Sequence, residues 1–338
     1  MRRISFCIPF LAALLVALGA TGSSRAADKV RIGLVKVANS ACTYIAVEKG
    51  YFAAEGIDPQ IIFFEGGGVP ISVAVVSGDI DIGETAISGS FFALAGQGAL
   101  RIVGGETREA RTFHNFGLFA SNKGYAAGLK SYADLPDHSL AIPQVGSSAH
   151  YRLSLLADKF HFDMARVRLL PVQSIPNIVS SIKGGQADGT INAATQMIPL
   201  VDAGEAKLIG WLSDEVRFQS AITFTSTKMA NDRADLLKRY LHALHKGLAD
   251  YHDAFTGPNE ERMDGPTAPE ILAIISKYTG ETVERTKLSI AYAPADGGLD
   301  IADVLRQIEW FKAQNMLKGP VDGNAIIDRR YVTDLPLR

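Results

Sequence analysis

Cysteine is almost missing from this chain: Cys7 and Cys42 are the only two in 338 residues. Two thiols cannot build a disulfide scaffold or a cysteine-only metal site. An excess of one charge is missing too, since 34 Lys plus Arg face 36 Asp plus Glu, a formal net charge of −2. That balance removes the electrostatic basis for a nucleic-acid partner. Beyond the first thirty residues, no apolar run reaches the roughly 20 residues that cross a bilayer. The G-x-S-x-G elbow, the H-E-x-x-H zinc helix and the G-x-x-x-x-G-K-[ST] phosphate loop are all absent, which leaves catalysis and nucleotide binding without a motif. His242, His245 and His252 share one expected helix, but no acidic or cysteine companion stands at ligand spacing. Neither a metal nor a cofactor is therefore expected.

What is present begins at the N-terminus. Met1-Arg2-Arg3 is basic, residues 4–20 are almost wholly apolar, and Ser24 and Ala26 put small residues at the −3 and −1 positions of a cleavage site. This order is that of a secretory signal peptide over residues 1–26, removed on export, and it predicts a periplasmic mature chain. Cys42 is then the only thiol left. At 47% apolar and 21% charged residues, the chain is long enough for two domains with substantial cores.

From residue 29 onward, β-like runs alternate with helical patterns. Strands are expected over 30–34, 60–64, 79–83 and 100–103, with helices over 41–49, 69–76 and 86–95. A second series places strands over 139–142, 167–172, 187–191 and 206–212, around helices over 146–160, 175–183 and 195–202. Strand and helix alternating across short connections predict parallel βαβ units. Helices then dominate, at 232–254, 268–278, 283–290 and 300–314. In the last of these, Ile301, Val304, Leu305, Ile308 and Phe311 follow the spacing of one buried face. The fold expected is α/β with two lobes, parallel-type sheets flanked by helices and a helical C-terminal tail. Lobe 1 is residues 28–117 with 219–338, and lobe 2 is residues 118–218. The β-like runs 114–120 and 219–225 are expected to cross between them as two hinge strands.

Ligands of open α/β sheets lie beyond the carboxyl ends of the strands. The loops expected there are small and polar: Asn39-Ser40, Gly66-Gly67-Gly68, Glu84-Thr85, Gly146-Ser147-Ser148 and Asn192. Gly146-Ser147-Ser148 opens a helix, so free N–H groups there could hold an anion, although Ser147 could equally serve only as the N-cap. Ser40 poses the same choice, and Asn39 beside it offers both donor and acceptor. Gly67 and Gly68 allow either close approach of a ligand or a flexible turn. Glu84 could meet a ligand amine or be paired internally. Arg108, Arg111 and His114 could neutralise an anion or lie on the surface. Tyr151 and Trp211 could stack on a ligand or belong to the core. Asp79 and Asp81, alternating with Ile80 and Ile82, read as a turn-stabilising pair on one strand face rather than as acid–base groups.

The block Glu48-Lys49-Gly50-Tyr51-Phe52-Ala53-Ala54-Glu55-Gly56-Ile57, followed by Gly66-Gly67-Gly68 and then Ser77-Gly78-Asp79-Ile80-Asp81-Ile82-Gly83, carries a resemblance. The chain resembles the periplasmic substrate-binding proteins of ABC importers for nitrate, alkanesulfonates, taurine and thiamine-pyrimidine precursors. That resemblance implies a type II, hinge-closing binding protein. It also implies a small-molecule ligand, an ABC permease and ATPase in the inner membrane as partners, a monomeric state, and no chemistry. These signature residues are structural and identify the scaffold, so the ligand is expected to be a small anion without being named. A fungal pyrimidine-precursor synthase shares the fold, but its cysteine-rich motif is absent here. A periplasmic enzyme and a ligand-presenting sensor subunit remain the alternatives.

Overall fold

Alternation of apolar and polar residues starts the first sheet. Val30, Ile32 and Leu34 are fully buried while Lys29 is exposed, the period-two pattern of a strand packed on one face. The computed structural model describes residues 26–65 and 67–335. The expected signal peptide, apart from Ala26, and Gly66 of the glycine loop lie outside the described residues.

Twelve strands occur among the described residues: β1 (Asp28–Leu34), β2 (Ile57–Phe63), β3 (Ile82–Ala86), β4 (Leu100–Gly105), β5 (Arg108–Glu109), β6 (Phe116–Ser121), β7 (Ser139–Ile142), β8 (Arg168–Pro171), β9 (Gly189–Ala193), β10 (Ala206–Trp211), β11 (Phe218–Gln219) and β12 (Ala221–Ser226). They form two five-stranded sheets, β2-β1-β3-β12-β4 and β10-β6-β9-β7-β8, and the short pair β11-β5. The chain therefore has the two-lobe periplasmic binding protein fold, one sheet per lobe with helices packed on both.

Each sheet is parallel except where the chain arrives from the other lobe. β1 pairs in parallel with β2 and β3, and β7 with β8 and β9. By contrast, β12 runs antiparallel to β3 and β4, and β6 antiparallel to β9 and β10. Both β6 and β12 begin at the cleft, where Phe116 and Ala221 line the cavity, and run away from it. The βαβ strands run toward the cleft, so opposite direction follows from the point of entry. The runs 114–120 and 219–225 thus become sheet strands, and the crossing itself is made just before each of them, where β5 and β11 pair antiparallel.

Three apolar clusters hold this frame. One packs the first sheet against the helices Ala41–Glu48, Ala234–Phe255 and Ala268–Thr279, around Tyr44, Tyr240 and Leu244. Another covers the second sheet with Phe119, Ile178, Ile182 and Met197. The third spans both lobes, joining Phe92 and Phe224 to Tyr151 and to Phe311 of the C-terminal helix Ile301–Ala313. In that helix Ile301, Val304, Ile308 and Phe311 are buried, as the spacing requires, and Leu305 packs at the margin. Among the described residues no helix is long and apolar enough to cross a membrane.

Asp79 and Asp81 correct the sequence expectation. β3 starts at Ile82, so both precede the strand instead of sharing one of its faces. Asp81 accepts from the backbone N–H and guanidinium of Arg31 at 2.9–3.0 Å, and Asp79 from the Ser77 hydroxyl at 2.6 Å. They fasten a turn.

Candidate functional site

A cavity of about 130 Å³ lies between the two sheets. Nine of the ten expected site residues line it: Asn39, Ser40, Gly67, Gly68, Glu84, Thr85, Ser147, Ser148 and Asn192. Helix N-termini converge on it from both lobes, at Ser40, Gly68, Ser88, Ser148, Ile175 and Ala193, all of them at or next to a helix start. Each such terminus leaves N–H groups without intrahelical partners and carries partial positive charge. Gly68 can open its helix this close to β3 only because it lacks a side chain: a Cβ there would lie 2.4 Å from the Ala86 carbonyl oxygen.

Gly146 is the tenth expected residue, and it stands behind the wall. Its backbone N–H donates to His150 Nδ1 at 3.3 Å, and its carbonyl accepts from the Gly89 N–H of the other lobe at 3.0 Å. Its φ of +81° sets the turn into the helix Ser148–Phe160. It shapes the turn and ties the lobes together.

Ser147 resolves one of the choices left open. It occupies the N-cap position of Ser148–Phe160, yet its hydroxyl caps nothing. The side chain is 8% exposed and its Oγ has no partner. Elsewhere the same residue type does cap: Ser226 Oγ accepts from Met229 N–H at 3.1 Å and Ser174 Oγ from Asn177 N–H at 3.3 Å. Ser40 is also spoken for, donating to the Val35 carbonyl at 2.9 Å. A buried hydroxyl without a hydrogen bond costs about 1–3 kcal/mol, so Ser147 carries an unmet polar group at the cavity wall.

One residue missed by sequence reasoning is Arg152. It lies four residues into the helix from Ser148, on the same face, and its Nη2 donates to Ser148 Oγ at 3.2 Å. It is 4% exposed, lines the cavity, and carries its guanidinium 3.5 Å from the ring centroid of Phe116. Its Nε has no partner. Burial pulls its pKa down while the charge of Glu109 on β5 holds it up; an arginine stays charged regardless. Asn192 completes this wall: its Oδ1 accepts from Ala193 N–H at 2.9 Å while its Nδ2 stays unpaired. The spacing Ser148-x-x-x-Arg152 at a helix start was the available signal.

The facing wall is acidic. Glu84 on β3 accepts from the hydroxyls of Thr43 and Tyr240. Glu106, just past β4, accepts from Thr223 Oγ1 at 2.8 Å. Thr223 sits opposite Glu84 in the β3–β12 register, which brings the two carboxyls into one corner. Burial pushes Glu84 up to about 7. Burial first, and then the charge of Glu84, also pushes Glu106 up.

The other expected ligand contacts stand off the cavity. Arg108 is buried, donating to the Gly298 carbonyl at 3.0 Å. Arg111 is exposed, and His114 stacks on Trp211 at 4.9 Å. Tyr151 donates to Asp303 at 3.1 Å within the interlobe core. Cys42, the one thiol among the described residues, is buried off the cavity, and burial pushes its pKa well up. No group of three or more His, Cys, Asp or Glu among the described residues could hold a metal ion.

The family model described as NMT1/THI5 like matches residues 37–260. The chain belongs to this family. Its fold is similar to that of the alkanesulfonate-binding protein SsuA from Xanthomonas axonopodis pv. citri bound to MOPS, at 18% identity and a TM-score of 0.71, over 89% of this chain and 98% of that one. The periplasmic aliphatic sulphonate binding protein SsuA from Escherichia coli is similar at 15% identity and TM-score 0.69, over 90% and 98%. The desulfurization enzyme DSZB is also similar, at 14% identity and TM-score 0.59, over 91% and 96%. No curated protein sequence matches the chain. This fold is thus shared by binding proteins and an enzyme.

Proposed function

We propose that this chain is the extracytoplasmic solute-binding subunit of an ABC importer, exported by the signal peptide of residues 1–26. It holds a small organic anion or oxyanion in the interlobe cleft and presents it, unchanged, to the permease and its ATPase. The observation that carries the reading is the set of buried polar atoms left without partners on one wall: Ser147 Oγ, Asn192 Nδ2 and Arg152 Nε. All three residues line the same cavity beside helix N-termini, and all offer donors to an anion. Family membership and the sulfonate-binding fold relatives support it. Against an enzyme of the cysteine-nucleophile type stands Cys42, buried outside the cavity with a thiol held protonated. Closure then follows from a ligand that touches both lobes and so favours the shut state.

Thermal unfolding of the mature protein against a panel of small sulfonates, carboxylates and inorganic oxyanions tests this. An anion at a hundred times its Kd adds about 2.7 kcal/mol of stability, and Arg152→Gln is expected to erase that gain. Stabilisation by cations or uncharged compounds alone would refute it.

A further inference from the structure

Glu106 has one carboxyl oxygen bound by Thr223, and among the described residues the other meets no donor. Its side chain is 2% exposed and lines the cavity. Beside it Glu84, also 2% exposed, has both oxygens held by hydroxyls. Neither carboxyl forms an ion pair with a lysine, arginine or histidine among the described residues. Two acids this deep, without a base, are costly if charged. A plain anion entering the cavity would bring a further negative charge toward them.

We propose that the ligand is amphoteric: its anionic head lies on the Arg152–Ser147–Asn192 wall, and a protonated nitrogen at its other end meets the free oxygen of Glu106 beside Glu84. This rests on the anion reading above and narrows it. The charges then match wall for wall. Arg152 faces the head, and the acid pair faces an ammonium or amidinium that supplies the missing base. The cavity, at about 130 Å³, is close to the roughly 150 Å³ void that accommodates benzene, so it suits a small-molecule ligand. The open oxygen of Glu106 and the open donors of Ser147, Asn192 and Arg152 are opposite in kind and belong to opposite lobes. A ligand that satisfies both sets therefore bridges the lobes.

Calorimetric titration of the mature protein with matched pairs tests this: 3-aminopropanesulfonate against propane-1-sulfonate, 4-aminobutanoate against butanoate, and propylamine as the amine alone. Charge-assisted hydrogen bonds predict that at least one amphoteric member binds about thirtyfold tighter than its partner lacking the amine. Glu106→Gln is expected to abolish that preference. Equal or tighter binding of the plain anions by the wild-type protein would overturn the proposal and leave the anion reading standing. The same holds for a preference that survives Glu106→Gln, and for no amphoteric member binding at millimolar concentration. Binding of propylamine with no binding of any anion would overturn both. The wild-type pairs decide the matter even if the variant does not fold.

Discussion

The two walls of the cleft treat buried polar groups in opposite ways. On the first lobe, hydroxyls are spent on the acids: Thr43 and Tyr240 on Glu84, and Thr223 on one oxygen of Glu106, whose other oxygen stays open. On the second lobe, Ser147, Asn192 and Arg152 each keep a buried donor unpaired. The difference teaches which groups the proposed ligand would relieve most. A saturated group is positioned and stable without ligand, whereas each unpaired one carries a desolvation cost of about 1–3 kcal/mol that an incoming acceptor relieves.

Removing the charge from the unsaturated wall has the largest expected effect. Truncating one partner of a desolvated charge pair costs about 2–5 kcal/mol, so Arg152→Gln should weaken the best anionic ligand about a hundredfold or more in calorimetry. Next comes a contrast between two serines at helix starts. Ser147→Ala removes no cap, so the melting temperature should hold or rise while ligand affinity falls about tenfold. Ser226→Ala removes a real cap and should cost about 1 kcal/mol of stability with affinity intact. If Ser147→Ala proves destabilising with affinity unchanged, the contrast collapses and Ser147 is an ordinary N-cap.

The acidic wall is expected to respond to pH. Folding raises the pKa of both acids, Glu84 to about 7. Such groups favour the folded state fully below the unfolded carboxyl pKa of about 4.3, and that contribution is lost as pH rises through the raised value. Glu106→Gln, which cannot ionise, should therefore raise the unliganded melting temperature more at pH 8 than at pH 5. A difference independent of pH would show that the acid pair is not held in the buried, charge-coupled state described. This effect is the smallest of the series, because the variant leaves Glu84 in place.

Much of this frame was legible from alternation alone. β7 falls on the expected run 139–142, and the buried stripe of Ile301–Ala313 follows its 3-4-7 spacing. What periodicity does not encode is direction, so the antiparallel entry of β6 and β12 could not be read. Boundaries slipped as well: the expected runs were 79–83 and 187–191, yet the strands begin at Ile82 and Gly189. Glu84 and Asn192 consequently sit inside strands near their ends instead of in the loops that follow. Apart from Gly146, and from Gly66 outside the described residues, the small polar residues expected there line the cavity. Arg152 and Glu106 escaped notice because each looks like an ordinary charged residue until the fold buries it.

A structure of the protein with its tightest-binding anion tests the central claim most directly. An anionic oxygen within about 3.2 Å of Ser147 Oγ and of the Arg152 guanidinium is the arrangement expected. An anionic group turned toward Glu84 and Glu106, or a ligand seated outside the interlobe cavity, would contradict it.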